Sequence, residues 1–127
     1  LFLRERGRAG YYEFNFSPSA EWAVYRFTAY REGMTAVENA GRLRVVPRAR
    51  ADRIELAAIV DLGALSPPLG GADLRLAISV VVEEASGRCS YWALRHPPGR
   101  PDFHHPDGFA RALDRLAPIA ERARRQD

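Results

Sequence analysis

Apolar and polar positions alternate in five stretches of the chain, with the period of two expected of half-buried strands. In Tyr11–Phe16, the side chains of Tyr12, Phe14 and Phe16 share one face, while Tyr11, Glu13 and Asn15 share the other. In Arg42–Arg48, Leu43 and Val45 oppose Arg42, Arg44 and Arg48, and Pro47 points to an edge or a strand end. Arg53–Leu62 places Ile54, Leu56, Ala58, Val60 and Leu62 on one side. Asp73–Glu84 is the longest run, with Leu74, Leu76, Ile78, Val80 and Val82 on its expected core face. Cys89–His96 sets Tyr91 and Ala93 against Trp92, Leu94 and His96. Two further segments read as strands: the aromatic, β-prone Glu21–Tyr30, and Leu1–Arg4, which looks like the remnant of a longer strand.

The connections carry turn chemistry, in Ser17-Pro18-Ser19-Ala20, Arg31-Glu32-Gly33, Ser66-Pro67-Pro68-Leu69-Gly70-Gly71 and Ala85-Ser86-Gly87. Even spacing of strands, with no long helical pattern between them, predicts an all-β fold: an antiparallel two-sheet sandwich, jelly-roll-like, over one domain spanning 1–127. Phe14, Leu56, Ile78 and Val80 are its expected buried positions. His96–Gly108 holds four prolines and two glycines and must be an irregular loop. Beyond it, Phe109, Leu113, Leu116, Ala117 and Ala120 stand at helical spacing, which Pro118 would interrupt. A short closing strand over Phe109–Leu113 is the alternative, followed by a short C-terminal helix or tail.

Composition narrows the function classes. Among 127 residues the longest apolar stretch, Leu76–Val82, is broken by Ser79, so no transmembrane helix is expected. The net charge is +3, all 19 basic residues are arginine, and acids are interleaved with them throughout. That mixture lacks the clustered excess of positive charge of a nucleic-acid binder, so no nucleic-acid partner is expected. Cys89 is the single cysteine, which precludes an intrachain disulfide and reads as an inert packed thiol. The chain opens Leu1-Phe2-Leu3 without Met and without a signal-peptide pattern. The expectation is therefore a domain cut at its N-terminal side, leaving an unpaired sheet edge or an open apolar seam nearby, in a reducing cytoplasmic compartment.

No phosphate-binding loop, dinucleotide fingerprint, nucleophile elbow or zinc-protease motif occurs, and no carboxylate pair is singled out for acid–base work. An enzyme is not expected. His96, His104 and His105 all fall in the Pro-rich loop with Asp102, at spacings that match no common metal site. One of the adjacent histidines is expected to order the loop and the other to face solvent or a ligand. Trp22 reads as core. Trp92 is open between core and platform, because Tyr91 and Trp92 leave their strand on opposite faces. An exposed aromatic edged by Asn15, Arg95, His96 and His105 would suit a sugar, whose C–H face stacks on a flat ring while polar groups fix its hydroxyls.

Tyr11-Tyr12-Glu13-Phe14-Asn15-Phe16-Ser17-Pro18, Trp22, Tyr25-Arg26-Phe27 and the Tyr30-Arg31-Glu32-Gly33-Met34 turn resemble bacterial DOMON-like proteins, relatives of family-nine carbohydrate-binding modules. So do Tyr91-Trp92-Ala93-Leu94-Arg95-His96-Pro97 and Pro101-Asp102-Phe103-His104-His105-Pro106. The resemblance covers Leu1 to about Phe109. It implies a two-sheet sandwich that binds a small ligand without catalysis, a sugar first and haem second. Asn15, Trp22, Trp92, Arg95, His96, His104 and His105 are the candidate contacts. The haem branch uses a Met and a His as axial ligands, and Met34 is the single methionine here. The family also has a strand with Trp and Cys before the position of Leu1, and a closing strand after Phe109. A structural domain that serves a protein contact, with no small ligand, is the competing expectation.

Overall fold

The computed structural model describes residues 1–69 and 73–113. The expected C-terminal helix or tail over 114–125 lies outside them. The described residues form ten strands: β1 (Phe2–Glu5), β2 (Tyr11–Phe16), β3 (Trp22–Phe27), β4 (Thr35–Ala36), β5 (Arg44–Ala49), β6 (Ile54–Ile59), β7 (Leu74–Ala77), β8 (Ser79–Glu83), β9 (Cys89–Ala93) and β10 (Arg111–Leu113). Every strand pairing is antiparallel. The fold is all-β and sandwich-like, and no helix among the described residues is long and apolar enough to cross a membrane.

One sheet of six strands, ordered β10-β7-β1-β2-β3-β4, forms the main layer. Its register aligns Leu3 with Tyr12 and Leu76, and Phe14 with Val24. Those residues form one apolar face, covered by Ala40, Leu65 and Leu69, with Leu43, Val60 and Leu62 packed alongside. The other face carries Phe2, Tyr11, Phe27 and Ala77, and Phe109 and Phe103 from the Pro-rich loop pack against it. Phe14 is fully buried. The expected second sheet takes the form of two separate hairpins, β5–β6 and β8–β9.

Three expectations are corrected. Leu1–Arg4 does not lie beside an open edge: β1 is an interior strand, paired with β2 on one side and β7 on the other. Asp73–Glu84 is not one strand. It divides at Ile78, β7 joining the large sheet and β8 pairing with β9. Leu56, Ile78 and Val80 are exposed, Val80 by 51%, because they lie on or beside two-stranded hairpins that leave them open to solvent. The Glu21–Tyr30 strand is present as β3, and the closing strand after Phe109 is present as β10, paired with β7.

Phe14→Ala is expected to cost about 3–5 kcal/mol of unfolding free energy. Val80→Ala, on an exposed hairpin, is expected to cost about 1 kcal/mol or less. Urea denaturation of the two variants measures both, and equal losses would contradict the burial described.

Candidate functional site

The return of the Pro-rich loop onto the large sheet brings Tyr11, Glu13, Tyr30, Arg31, Asp102 and His104 together. Tyr11 is the first residue of β2 and points to the Phe2/Phe27 face, where its ring stacks on Phe27 at 4.9 Å between centroids. Its hydroxyl lies 2.8 Å from His104 Nδ1 and accepts the backbone N–H of Arg31 at 3.2 Å. The Glu13 carboxylate facing Nε2 can only accept, so the neutral imidazole carries its proton on that nitrogen and the tyrosine hydroxyl donates to a bare Nδ1. The carboxylate lies 3.7 Å from Nε2. The imidazole sits edge-on between Phe2 and Phe27, at 5.0 and 5.1 Å between ring centroids.

Burial is the main cause that pulls His104 below the ordinary imidazole value of 6.5, with Arg31 acting in the same sense and Glu13 and Asp102 opposing. Burial likewise raises Tyr11, so its hydroxyl keeps its proton near neutrality. The second anchor is Asp102. Its carboxylate accepts from Tyr30, from Arg31 Nη2 at 2.7 Å and from the backbone N–H of His104 at 3.1 Å. Burial disfavours the ionised form of Asp102, but these hydrogen bonds outweigh it and hold the carboxyl below its ordinary value.

The turn after β3 is shaped for this contact. Arg31 takes a left-handed φ of 55°, a conformation that costs a non-glycine residue about 1 kcal/mol or more. In that conformation its N–H reaches Tyr11 and its guanidinium reaches Asp102. Gly33, at φ +63°, admits no side chain: a Cβ would stand 2.2 Å from Thr28 Oγ1. No buried side-chain nitrogen or oxygen among the described residues lacks a partner. The Tyr11–His104–Glu13 and Tyr30–Arg31–Asp102 groups therefore act as a latch that holds the loop on the sheet, and their donors and acceptors are spent on one another.

The candidate contacts read from sequence separate into three places. Asn15 joins the latch side, donating from Nδ2 to Glu13 Oε1 at 3.0 Å. His104 is the centre of the latch, so it does not face solvent. His105 caps the short turn Pro106–Gly108 within the loop, its Nδ1 accepting the backbone N–H of Asp107 at 3.2 Å. His96 lies against Phe103, which also meets Tyr91. Arg95 is exposed just after β9, and its carbonyl passes close to Gly108.

The two tryptophans stand elsewhere. Trp22 is not a core residue: it pairs with Phe16 at the start of β3, on the sheet face opposite the latch, and is 38% exposed. Trp92 projects from the β8–β9 hairpin on the face opposite Tyr91, opposite Val80 in register, and is 65% exposed. Its indole N–H is donated to Ser90 Oγ at 3.2 Å. Asn15 and Trp92 belong to different sheets, Asn15 to the six-stranded one and Trp92 to the β8–β9 hairpin. Cys89 is exposed at the start of β9, not packed.

Tyr30 and Arg31 are the latch members that strand patterning alone does not bring forward. Their signal is a tight turn closed by Gly33 that places two polar side chains beyond the end of a strand. Met34 is exposed in the connection that follows, and His104 is committed to Tyr11 and Glu13, so the axial Met–His pair that haem would take is not assembled from these two. Among the described residues no three His, Cys, Asp or Glu side chains converge as a metal site.

His104 binds a proton more readily in the unfolded chain than in the folded protein. The stability it contributes is present in full above the ordinary imidazole value and is lost as pH falls through the lowered one. The melting temperature is expected to drop as pH falls below the ordinary imidazole value of 6.5, and His104→Gln, which keeps an acceptor for Tyr11 without titrating, to flatten that drop. Identical slopes in the two proteins would place the acid sensitivity elsewhere. No protein-family model, curated protein or solved structure gives a significant match to this chain, so its geometry is what a functional reading rests on.

Proposed function

We propose that this domain is a non-catalytic binding module that takes a carbohydrate-like ligand on the open face of the β8–β9 hairpin. The observation that carries the reading is Trp92. A large indole left 65% exposed loses the burial that would justify it as a packing residue. Its orientation is nevertheless restrained by the bond to Ser90, so the ring forms a platform and not a free side chain. Such a ring stacks on the C–H face of a sugar, and the neighbouring Ser90 hydroxyl supplies a polar contact on the same side of the strand. The likeness of the Tyr91–Pro97 and Phe103–Pro106 segments to DOMON-like modules supports the same ligand class.

A second reading has its own observation. Ile78, Val80, Val82 and Leu94 are exposed on the hairpin face that Trp92 shares, and an aliphatic surface of that kind suits a protein contact better than a hydroxyl-rich ligand.

A panel of immobilised neutral and acidic glycans separates the two. The wild-type domain is expected to bind a subset, and Trp92→Ala to lose about 1–3 kcal/mol of that affinity with an unchanged melting temperature. A Trp92→Ala variant that binds glycans as well as wild type would remove the platform. Absence of glycan binding, together with self-association that Val80→Ser and Leu94→Ser abolish, would favour the protein-contact reading.

A further inference from the structure

A cleft of about 510 Å³ opens at one end of the six-stranded sheet, away from Trp92. Its walls come from the β1–β2 turn, the end of β3 and the segment 67–69. The volume is that of a site for a small organic molecule. Pro67, Pro68 and Leu69 make the lining apolar and stiff on one side, and Tyr12 adjoins them. The Tyr12 hydroxyl is donated to the Pro67 carbonyl at 2.7 Å, which ties the proline wall to the sheet.

The charge in the cleft is unbalanced. Arg8 has a carboxylate nearby, since its Nε lies 3.6 Å from Glu5 Oε2. Arg26 forms no ion pair among the described residues. It stands directly across from Tyr12 in the β2–β3 register, so its position at the mouth is set by strand pairing and not by a loop. Its charge is felt at the Tyr12 hydroxyl, where it opposes the upward push of burial on that group. On the same sheet face Trp22 and Val24 precede it, so the apolar row ends in a cation where the cleft begins.

We infer that this cleft binds a small organic acid, its carboxylate held by the Arg26 guanidinium and its flat apolar body laid against Pro67, Pro68 and Leu69. A guanidinium presents two parallel donors that match a carboxylate. The predominance of apolar wall favours a carboxylate on a hydrocarbon body over inorganic phosphate, which would leave the proline wall uncovered. The site is independent of the glycan-binding reading, since none of its residues lies on the β8–β9 hairpin.

Benzoate is the probe, with benzyl alcohol and inorganic phosphate as comparators, followed by isothermal titration and by amide chemical shifts of residues 8–12, 26–28 and 69. Saturable benzoate binding is expected, weakened about tenfold or more by Arg26→Gln, which removes the charge and the paired donors of the fork. Arg26→Lys is expected to fall between, because it keeps the charge and loses the fork. Arg48→Gln, on β5, and Trp92→Ala are expected to leave the affinity unchanged. Benzoate bound equally by Arg26→Gln, benzyl alcohol bound as tightly as benzoate, or phosphate preferred to benzoate would each overturn the assignment.

Discussion

Consecutive tyrosines at the start of β2 leave the strand on opposite faces, and both are buried. That constraint shapes the rest of the molecule. Tyr12 continues into Phe14 and builds the core under Ala40, Leu65 and Leu69, while Tyr11 needs a second apolar layer on the other side. Among the described residues no complete second sheet supplies that layer. The Pro-rich loop does, through Phe103 and Phe109, and the cost of bringing an irregular backbone there is offset by the hydrogen bonds that Tyr11 and its neighbours make with it.

The latch follows from this arrangement. A tyrosine hydroxyl buried against phenylalanine rings requires a partner, and His104 provides an acceptor only while it is neutral. The same apolar rings that bury His104 keep it neutral, so the hydrogen bond and the depressed basicity have one cause. Asp102 works in the opposite sense: it is held ionised by Tyr30 and Arg31, and it secures the loop two residues before the histidine. The strained turn at Arg31 is maintained by contacts on both sides of it.

The two surfaces proposed for binding differ in how they are positioned. The cleft at Arg26 lies on strands locked by register and by the Tyr12–Pro67 bond, so its geometry is preorganised. The Trp92 face belongs to a hairpin whose valines are exposed on both sides, an arrangement that invites a ligand or partner to complete the burial.

Alternation in the amino-acid sequence by itself determined the all-β class and the existence of strands at Tyr11–Phe16, around Arg44–Arg48, at Ile54–Ile59 and at Cys89–Ala93, because a period of two follows from strand geometry alone. It also determined that Asn15 and Glu13 share a face, and that Tyr91 and Trp92 do not. Which strands pair, and which faces find cover, was decided by tertiary structure. Ile78 and Val80 have the pattern of core residues, yet the chain leaves the large sheet at Ile78, and nothing in a local alternation records that change of layer. His104 and His105 are adjacent in sequence and alike in chemistry. Only the position of the Tyr11 hydroxyl, ninety-three residues away along the chain, makes the first the centre of the latch while the second caps a turn. Contacts of that separation depend on where the backbone returns, a property of the assembled sheet and not of any one segment.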